Sequence, residues 1–189
     1  MYPQDLRERL RASLGPGPDP SPGEGTRLAA VLLPVIEGTD PSLVFTRRTE
    51  DLPRHPGEIS FPGGLQHAED PNLEATALRE TEEELGIKPN SVDIVGALAP
   101  VHTVVSSILI VPFVGIFSSR PAFTPNAGEI AEVLEYPLTR LVKAEAEVEW
   151  PLGDHVYRGF AYEMDGNMIW GATARILSEF MVIMRMETS

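Results

Sequence analysis

The sequence predicts an α+β domain in which strands form a core sheet and helices pack on it. Several apolar segments of strand length alternate with turn residues along the chain. Three further segments carry helix-forming or apolar residues at helical spacing. The chain has 189 residues, of which 42% are hydrophobic, and this suffices for one core without disulfides or structural metals. We therefore expect one domain to carry the function.

The first segment predicts a short amphipathic helix followed by a linker. Leu6, Leu10 and Leu14 recur every four residues, as on one face of a helix. The Pro/Gly-rich stretch that follows is typical of a chain without regular structure. We expect residues 1–25 to form a mobile leader and residues 26–189 to form the domain.

A hairpin and a glycine loop follow the linker. The apolar residues 28–36 predict a strand buried on both faces, and residues 42–47 predict its hairpin partner. A short strand at 59–61 leads into Gly63 and Gly64, which permit positive φ angles and a close approach of the backbone to a ligand. Such a loop can present backbone carbonyls.

The next element is predicted to be a helix. Good helix formers run from residue 74 to residue 85, and Gly86 supplies a C-terminal stop. Asp70 has the side chain of an N-cap residue, and Pro71 suits the first helical position. The helix should therefore span most of residues 71–85.

The remainder of the chain predicts more strands and a closing helix. Strands are expected at residues 92–98, 106–117, 131–136, 148–150 and 157–168, the last folded back at 165–167. An apolar stripe at helical spacing predicts a final helix packed on the sheet, and it comprises Ala172, Ile176, Phe180, Ile183 and Met184. Together these elements complete an α+β fold.

The composition excludes several classes of function. The chain has no cysteine, so disulfides, thiolate metal sites and cysteine nucleophiles are excluded, and a cytoplasmic location is expected. The formal net charge of −13 disfavours binding to nucleic acids or anionic lipids. The first residues lack an apolar signal segment, and the apolar stretch 108–117 is shorter than the about 20 residues of a membrane helix. We expect neither a nucleic-acid nor a membrane partner.

Motifs of several other enzyme classes are missing from the sequence. The histidines do not show the paired spacing of a zinc site. The sequence contains no serine-hydrolase elbow, no P-loop and no dinucleotide-binding glycine motif after a strand. The acidic residues of the predicted helix are the remaining candidates.

Three glutamates form the candidate catalytic cluster. Glu80, Glu83 and Glu84 are spaced by three and four residues or lie side by side, which places them at neighbouring positions of one helix face. Their mutual repulsion favours a hard divalent cation, and Mg²⁺ prefers oxygen ligands. The carbonyl of Gly64 is a candidate additional ligand. The alternative is a solvated acidic face, as most charge runs are, but the nearby glycine loop favours the metal site.

These residues resemble the Nudix family box, whose pattern ends in Arg-Glu, two residues, Glu-Glu, one residue and Gly. Arg79-Glu80, Glu83-Glu84 and Gly86 match that half. The spacing from Gly64 to Arg79 is one residue longer than in the pattern, and Thr81 replaces an apolar residue. The resemblance implies a mixed sheet sandwiched between helices and a loop-helix-loop site for Mg²⁺, or Mn²⁺ in its place, and a nucleoside diphosphate derivative.

A second stretch resembles the signature that precedes this box in coenzyme A diphosphatases. It comprises residues 43–48, then 54–57, then Phe61-Pro62-Gly63-Gly64. In the family a basic residue stands four positions before the first glycine, where this chain has Pro53 followed by Arg54. The resemblance implies hydrolysis of coenzyme A to 3′,5′-adenosine diphosphate and 4′-phosphopantetheine.

The candidate residues have distinct expected roles. Arg79 is expected to orient the glutamates through charge-assisted hydrogen bonds. Arg47 and Arg54 are candidates for gripping phosphate oxygens, although ordinary surface ion pairs explain each of them equally well. Glu80 and Glu129 are candidate general bases.

Several alternatives stay open. Glu132 is a further candidate base, and residues 101–105 are expected either to pack in the core or to contact the pantetheine arm. The substrate could instead be NADH, ADP-ribose or a nucleoside triphosphate, and a non-catalytic Nudix-fold binding module is a less favoured reading because the carboxylates are retained. A homodimer is an open alternative to a monomer.

Overall fold

A mixed β-sheet forms the centre of the molecule in the computed structural model. The structure describes residues 3–18, 20, 25–53, 55–103, 107–152 and 155–186. The helices are α1 (Pro3–Ser13), α2 (Leu73–Leu85), α3 (Leu138–Ala144) and α4 (Gly171–Met186), with a 3₁₀ turn at Pro89–Ser91. The strands are β1 (Arg27–Ile36), β2 (Ser42–Arg48), β3 (Ile59–Ser60), β4 (Gly63–Leu65), β5 (Asp93–Ala97), β6 (Val101–His102), β7 (Ile108–Phe117), β8 (Ile130–Pro137), β9 (Glu145–Leu152), β10 (His155–Met164) and β11 (Asn167–Ile169).

The main sheet has eight strands among the described residues, and its central path runs β3-β2-β1-β7-β5. Strand β1 pairs in parallel with β7 along its whole length and antiparallel with β2 and β4. Strand β8 lies antiparallel to β2, and β6 lies antiparallel to β7. The predicted hairpin of β1 and β2 is therefore confirmed, and the sheet is mixed because of the one parallel pair.

Both faces of this sheet are covered, as the apolar sequence of β1 predicts. Leu33 and Val35 belong to a core cluster that also contains residues of α4. The alternate residues Ala30 and Leu32 pack in a second cluster with residues of α2. Successive strand residues point to opposite faces, so the sheet lies between helices, and the predicted α+β architecture is confirmed.

A small second sheet completes the fold. Strands β9, β10 and β11 pair antiparallel in the order β11-β10-β9. The chain turns between β10 and β11 at Asp165 and Gly166, both of which have positive φ, so the predicted fold-back at 165–167 is confirmed. Helix α4 packs against β10 and β6, as expected for a closing helix.

Helix α1 differs from the expected mobile leader. Leu6 and Leu10 are buried in the same core cluster as the residues of α4. The Arg7 guanidinium donates to Glu37 and Asp93 at 2.7–2.9 Å. The helix is therefore held on the sheet by apolar burial and by ion pairs, while the division of the chain at residues 25 and 26 stays a prediction.

Helix α3, strands β4 and β6 and the 3₁₀ turn at Pro89–Ser91 were not predicted. Helix α3 has seven residues, which is shorter than the window over which helical periodicity can be recognised. Strand β6 has two residues and owes its conformation to pairing with β7. Within the described part of the chain, no helix combines the length and the apolar character that a membrane crossing requires.

Candidate active site

Helix α2 carries the predicted glutamates and has well-defined ends. Its N-cap is Asn72, whose side chain accepts from the Ala75 N–H at 2.8 Å. The predicted N-cap, Asp70, was wrong, because the carboxylate of Asp70 is engaged by Arg79 and Thr76 instead. At the other end, Gly86 adopts a φ of 71° and donates to the Glu82 carbonyl, so the predicted glycine stop is confirmed.

The glycine loop lies directly against this helix. Gly63 has a φ of 155°, and a Cβ there would lie 2.3 Å from the Ala30 carbonyl oxygen. A Cβ on Gly64 would lie 2.5 Å from the carboxyl carbon of Glu80. Gly63 is therefore required for the packing of β4 on β1, whereas the lack of a side chain at Gly64 lets the Glu80 carboxylate approach the backbone.

Arg79 organises the acidic residues around it. Its Nε and Nη2 donate to the two carboxylate oxygens of Asp70, each at 3.0 Å. Its Nη1 donates to Glu80 at 2.8 Å and to Glu83 at 3.2 Å, and Nη2 also reaches the Leu65 carbonyl. These bonds raise the pKa of Arg79 and, from the other side, hold the pKa of Asp70 well below its usual range. The expected orienting contacts of Arg79 are therefore present.

Glu84 is the most deeply buried of the three glutamates, with 3% of its surface exposed. Burial, together with the negative charges of Glu80 and Glu129, raises its pKa to about 8. The Gly63 N–H, which donates to Glu84 Oε2 at 3.2 Å, and the charge of Arg48 act in the opposite direction. Glu84 is therefore a buried carboxyl group beside two other acids, where a bound cation would favour its ionised form.

The expected convergence of three carboxylates is only partly present. Glu80 and Glu84 influence each other, but the Glu83 side chain is 56% exposed and bonds to Arg79. Among the described residues, no group of three histidine or acidic side chains is arranged to hold a metal ion. The donor chemistry nevertheless fits a hard cation, since Glu80 and Glu84 are acidic neighbours and the backbone of Gly63 and Gly64 lies against their side chains. The assignment of ligands stays a prediction.

Arg47 lies away from these glutamates. It forms an ion pair with Glu132 and donates to the Asn167 side chain at 3.1 Å. Leu43 and Phe45 of β2 pack in the core cluster that contains residues of α4. Because alternate strand residues share a face, Arg47 lies on this same face, opposite α2. The structure does not bring Arg47 together with Glu84, and Arg54 lies outside the described residues.

Arg48 is the residue that the sequence interpretation missed. It is the positive charge that acts on Glu84. The alternation of side chains between the two faces of β2 could have identified Arg48. Val44, four residues earlier and on the same face, packs with Leu85 of α2. Residues of even number therefore face the helix, although the sequence by itself does not say which face α2 covers.

Of the two candidate bases from the downstream loop, Glu129 is the one near Glu84. The loop is tied to the end of α2 by bonds from Thr124 N–H to the Leu85 carbonyl and from Asn126 N–H to the Glu84 carbonyl. The Glu129 side chain is exposed and accepts from the Asn126 amide at 3.4 Å. Glu132, by contrast, is held by Arg47.

Residues 101–105 show ordinary packing where the structure describes them. Val101 is buried in the main core cluster, and His102 is exposed at the end of β6. Residues 104 and 105 lie outside the described residues. Contact with a pantetheine arm stays a prediction.

Comparison with known proteins places this arrangement in context. The model of the NUDIX domain family matches residues 25–156. The chain is 35% identical to the uncharacterized Nudix hydrolase NudL of Pectobacterium atrosepticum, over 86% of this chain and 85% of that protein. It is 39% identical to the chloroplastic Nudix hydrolase 22 of Arabidopsis thaliana, over 79% of this chain but 52% of that longer protein.

Solved structures with low sequence identity share the fold. A MutT protein from Methanosarcina mazei superposes with a TM-score of 0.57 at 16% identity, over 87% of this chain and 96% of that chain. The NUDIX domain of NrtR from Shewanella oneidensis, solved with ADP ribose, gives a TM-score of 0.51 at 19% identity, over 67% and 82% of the two chains. The glutamates and the glycine loop described above thus lie in a shared architecture.

Proposed function

The chain belongs to the Nudix hydrolase family, and from this premise we propose that it hydrolyses the diphosphate linkage of coenzyme A or a coenzyme A derivative with Mg²⁺. The products are 3′,5′-adenosine diphosphate and 4′-phosphopantetheine. We further place this activity in the cytoplasm, because a chain without cysteine needs no oxidising compartment.

One observation carries the proposal. The stretch that resembles the coenzyme A signature folds back on itself, since Thr46 lies opposite Ser60 and Arg47 opposite Ile59, just before Phe61-Pro62-Gly63-Gly64. The loop that ends the signature donates the Gly63 N–H to Glu84. The signature stretch that indicates coenzyme A therefore contacts, through Gly63, the helix glutamate that indicates diphosphate hydrolysis.

Glu80, Glu84 and the Gly64 carbonyl are the residues that would hold the cation. Nudix hydrolases generally use divalent metal ions. When bound, Mg²⁺ supplies positive charge that stabilises phosphate oxygens and lowers the pKa of the attacking water. The low exposure of Glu84 strengthens such charge interactions, because fewer solvent molecules screen them.

The other residues either orient Glu80 or accept a proton. Asp70 and Arg79 fix the orientation of Glu80 through a chain of charge-assisted hydrogen bonds. Glu129 accepts the proton of the attacking water, because its carboxylate is exposed beside Glu84 and no arginine engages it among the described ion pairs. No covalent intermediate is required, since water attacks one phosphorus and the other phosphate leaves.

A product-resolved assay tests this proposal. The wild-type protein is incubated with Mg²⁺ and, in parallel, with coenzyme A, NADH, ADP-ribose and a nucleoside triphosphate. We expect the highest kcat/KM for coenzyme A and the release of 4′-phosphopantetheine. Preferential turnover of another compound would exclude coenzyme A as the main substrate, and no turnover of any compound would favour a binding module.

A further inference from the structure

Two buried polar atoms at the end of β2 have no hydrogen-bond partner among the described residues. They are the Nε of Arg48 and the Oγ1 of Thr49. A buried donor without a hydrogen-bond partner is costly, so native proteins rarely leave one without a water or a ligand at that place. The strand end therefore presents unused donors beside the candidate active site.

The Arg48 guanidinium carries a positive charge close to the acidic candidate active site. The charge of Arg48 acts on Glu84, a carboxyl group that is also exposed to the negative charges of Glu80 and Glu129. Its backbone N–H is fixed by the Glu58 carbonyl, while the Thr49 N–H is fixed by the Glu129 carbonyl. The main chain at the strand end is therefore held in place, and the side-chain donors remain available.

Two neighbouring arginines within the described part of the chain are already engaged. Arg79 bonds to Asp70, Glu80 and Glu83. Arg47 bonds to Glu132 and Asn167 on the other face of the sheet. None of the ion pairs between described residues includes Arg48, so it can bind an external anion without breaking an internal bond.

We propose that Arg48, assisted by the Thr49 hydroxyl, binds nonbridging oxygens of the substrate diphosphate. This inference rests on the proposed diphosphate hydrolysis but not on the identity of the groups at either end of the diphosphate. A guanidinium offers paired donors that match phosphate oxygens, and its charge persists at all physiological pH values. Arg48 is thus a substrate-binding residue that stabilises the charge of the phosphates during their separation.

The test compares two variants with the wild type on every substrate that the wild type hydrolyses. Arg48→Met keeps the length of the apolar stem and removes the guanidinium, and Arg48→Lys keeps the charge without the paired donors. We expect kcat/KM to fall by about 10- to 100-fold in Arg48→Met, as for the loss of a hydrogen bond to a charged group. Arg48→Lys should retain an intermediate value.

A matched control is Arg158→Ala, which removes an arginine that is 81% exposed and paired with Glu149 on the β9–β10 hairpin. Its kcat/KM should equal that of the wild type.

Wild-type kcat/KM in a folded Arg48→Met protein would overturn the role of Arg48, whatever the substrate. A large loss in Arg48→Met on ADP-ribose, with no hydrolysis of coenzyme A by the wild type, would instead exclude the coenzyme A assignment and support the role of Arg48. Thermal unfolding of each variant identifies a loss of the fold, and Arg48→Lys decides the matter if Arg48→Met does not fold.

Discussion

Glu84 is an acid whose surroundings oppose its charge. It is buried under the glycine loop, and burial together with Glu80 and Glu129 raises its pKa to about 8. The single bond from Gly63 and the charge of Arg48 compensate only in part. At the residue scale, stability and function therefore compete at one side chain, since the same carboxylate that destabilises the fold is the best-placed cation ligand.

Glu84→Gln is predicted to abolish hydrolysis and to stabilise the protein in buffer with EDTA. The folded-state pKa is raised above the ordinary value of 4.5, so the native protein binds more protons and its stability falls as pH rises from about 4.5 to about 8. The loss is about 1.4 kcal/mol for each unit of pKa shift. Urea unfolding from pH 4 to pH 9 measures this slope.

The variant should lose this pH dependence and equal the wild type near pH 4, where Glu84 is protonated in both states. Added Mg²⁺ should restore stability to the wild type at pH 8 and not to the variant. Equal unfolding curves for both proteins at pH 9, or undiminished turnover by the variant, would remove Glu84 from the proposed ligand set.

Strand β4 and helix α2 form one unit at the element scale. The strand pairs with β1 through Gly63 and Gly64, opposite Val31 and Ala30. The helix then places Glu80 against Gly64 and Glu84 against Gly63. The two adjacent glycines therefore serve different purposes, one for the backbone of the sheet and one for the site.

Gly64→Ala is predicted to reduce activity with little effect on stability, and Gly63→Ala is predicted to reduce stability. The Cβ at Gly64 meets only the end of the Glu80 side chain, so the carboxylate shifts and activity falls by about 100-fold, with little change in unfolding free energy. The Cβ at Gly63 meets backbone of β1 at a positive φ, so stability falls by about 1–3 kcal/mol. Turnover and denaturant unfolding of both variants measure this contrast.

Each glycine variant serves as the control for the other. Wild-type turnover in Gly64→Ala would show that the position of Glu80 beside the loop is unimportant for catalysis. An unchanged unfolding midpoint in Gly63→Ala would show that β4 moves readily from β1.

At the scale of the whole molecule, helix α1 connects the start of the chain to the main core. Leu6 and Leu10 pack with residues of β1 and α4. Arg7 and Arg11 both bond to Asp93 at the start of β5. The first helix therefore contributes to the stability of the domain that carries the site.

Leu10→Ala is predicted to destabilise the protein by about 2–5 kcal/mol, because the side chain is fully buried and its removal leaves a cavity. Glu8→Ala, at an exposed position of the same helix, is the control and should change stability by less than about 0.5 kcal/mol. Equal unfolding free energies for Leu10→Ala and the wild type would mean that the helix is a separate leader, as the sequence first suggested.

The sequence determined the features that depend on local spacing. Helical propensity and Gly86 predicted the end of α2 at Leu85, although the helix begins at Leu73 and not at Pro71. The positions of Glu80 and Glu84 on one face follow from helical geometry. The apolar run of β1 predicted burial on both faces, and Asp165-Gly166 predicted the final hairpin. These conclusions hold because each depends on residues within a few positions of one another.

Only the tertiary structure decided which faces meet. The parallel pairing of β1 with β7 joins residues about 80 positions apart, and no local pattern specifies that partner. The face of β2 that α2 covers decides that Arg48, rather than Arg47, acts on Glu84. The burial of Glu84 and the docking of α1 likewise arise from surfaces brought together by folding, because desolvation and packing depend on neighbours in space and not on neighbours in the chain.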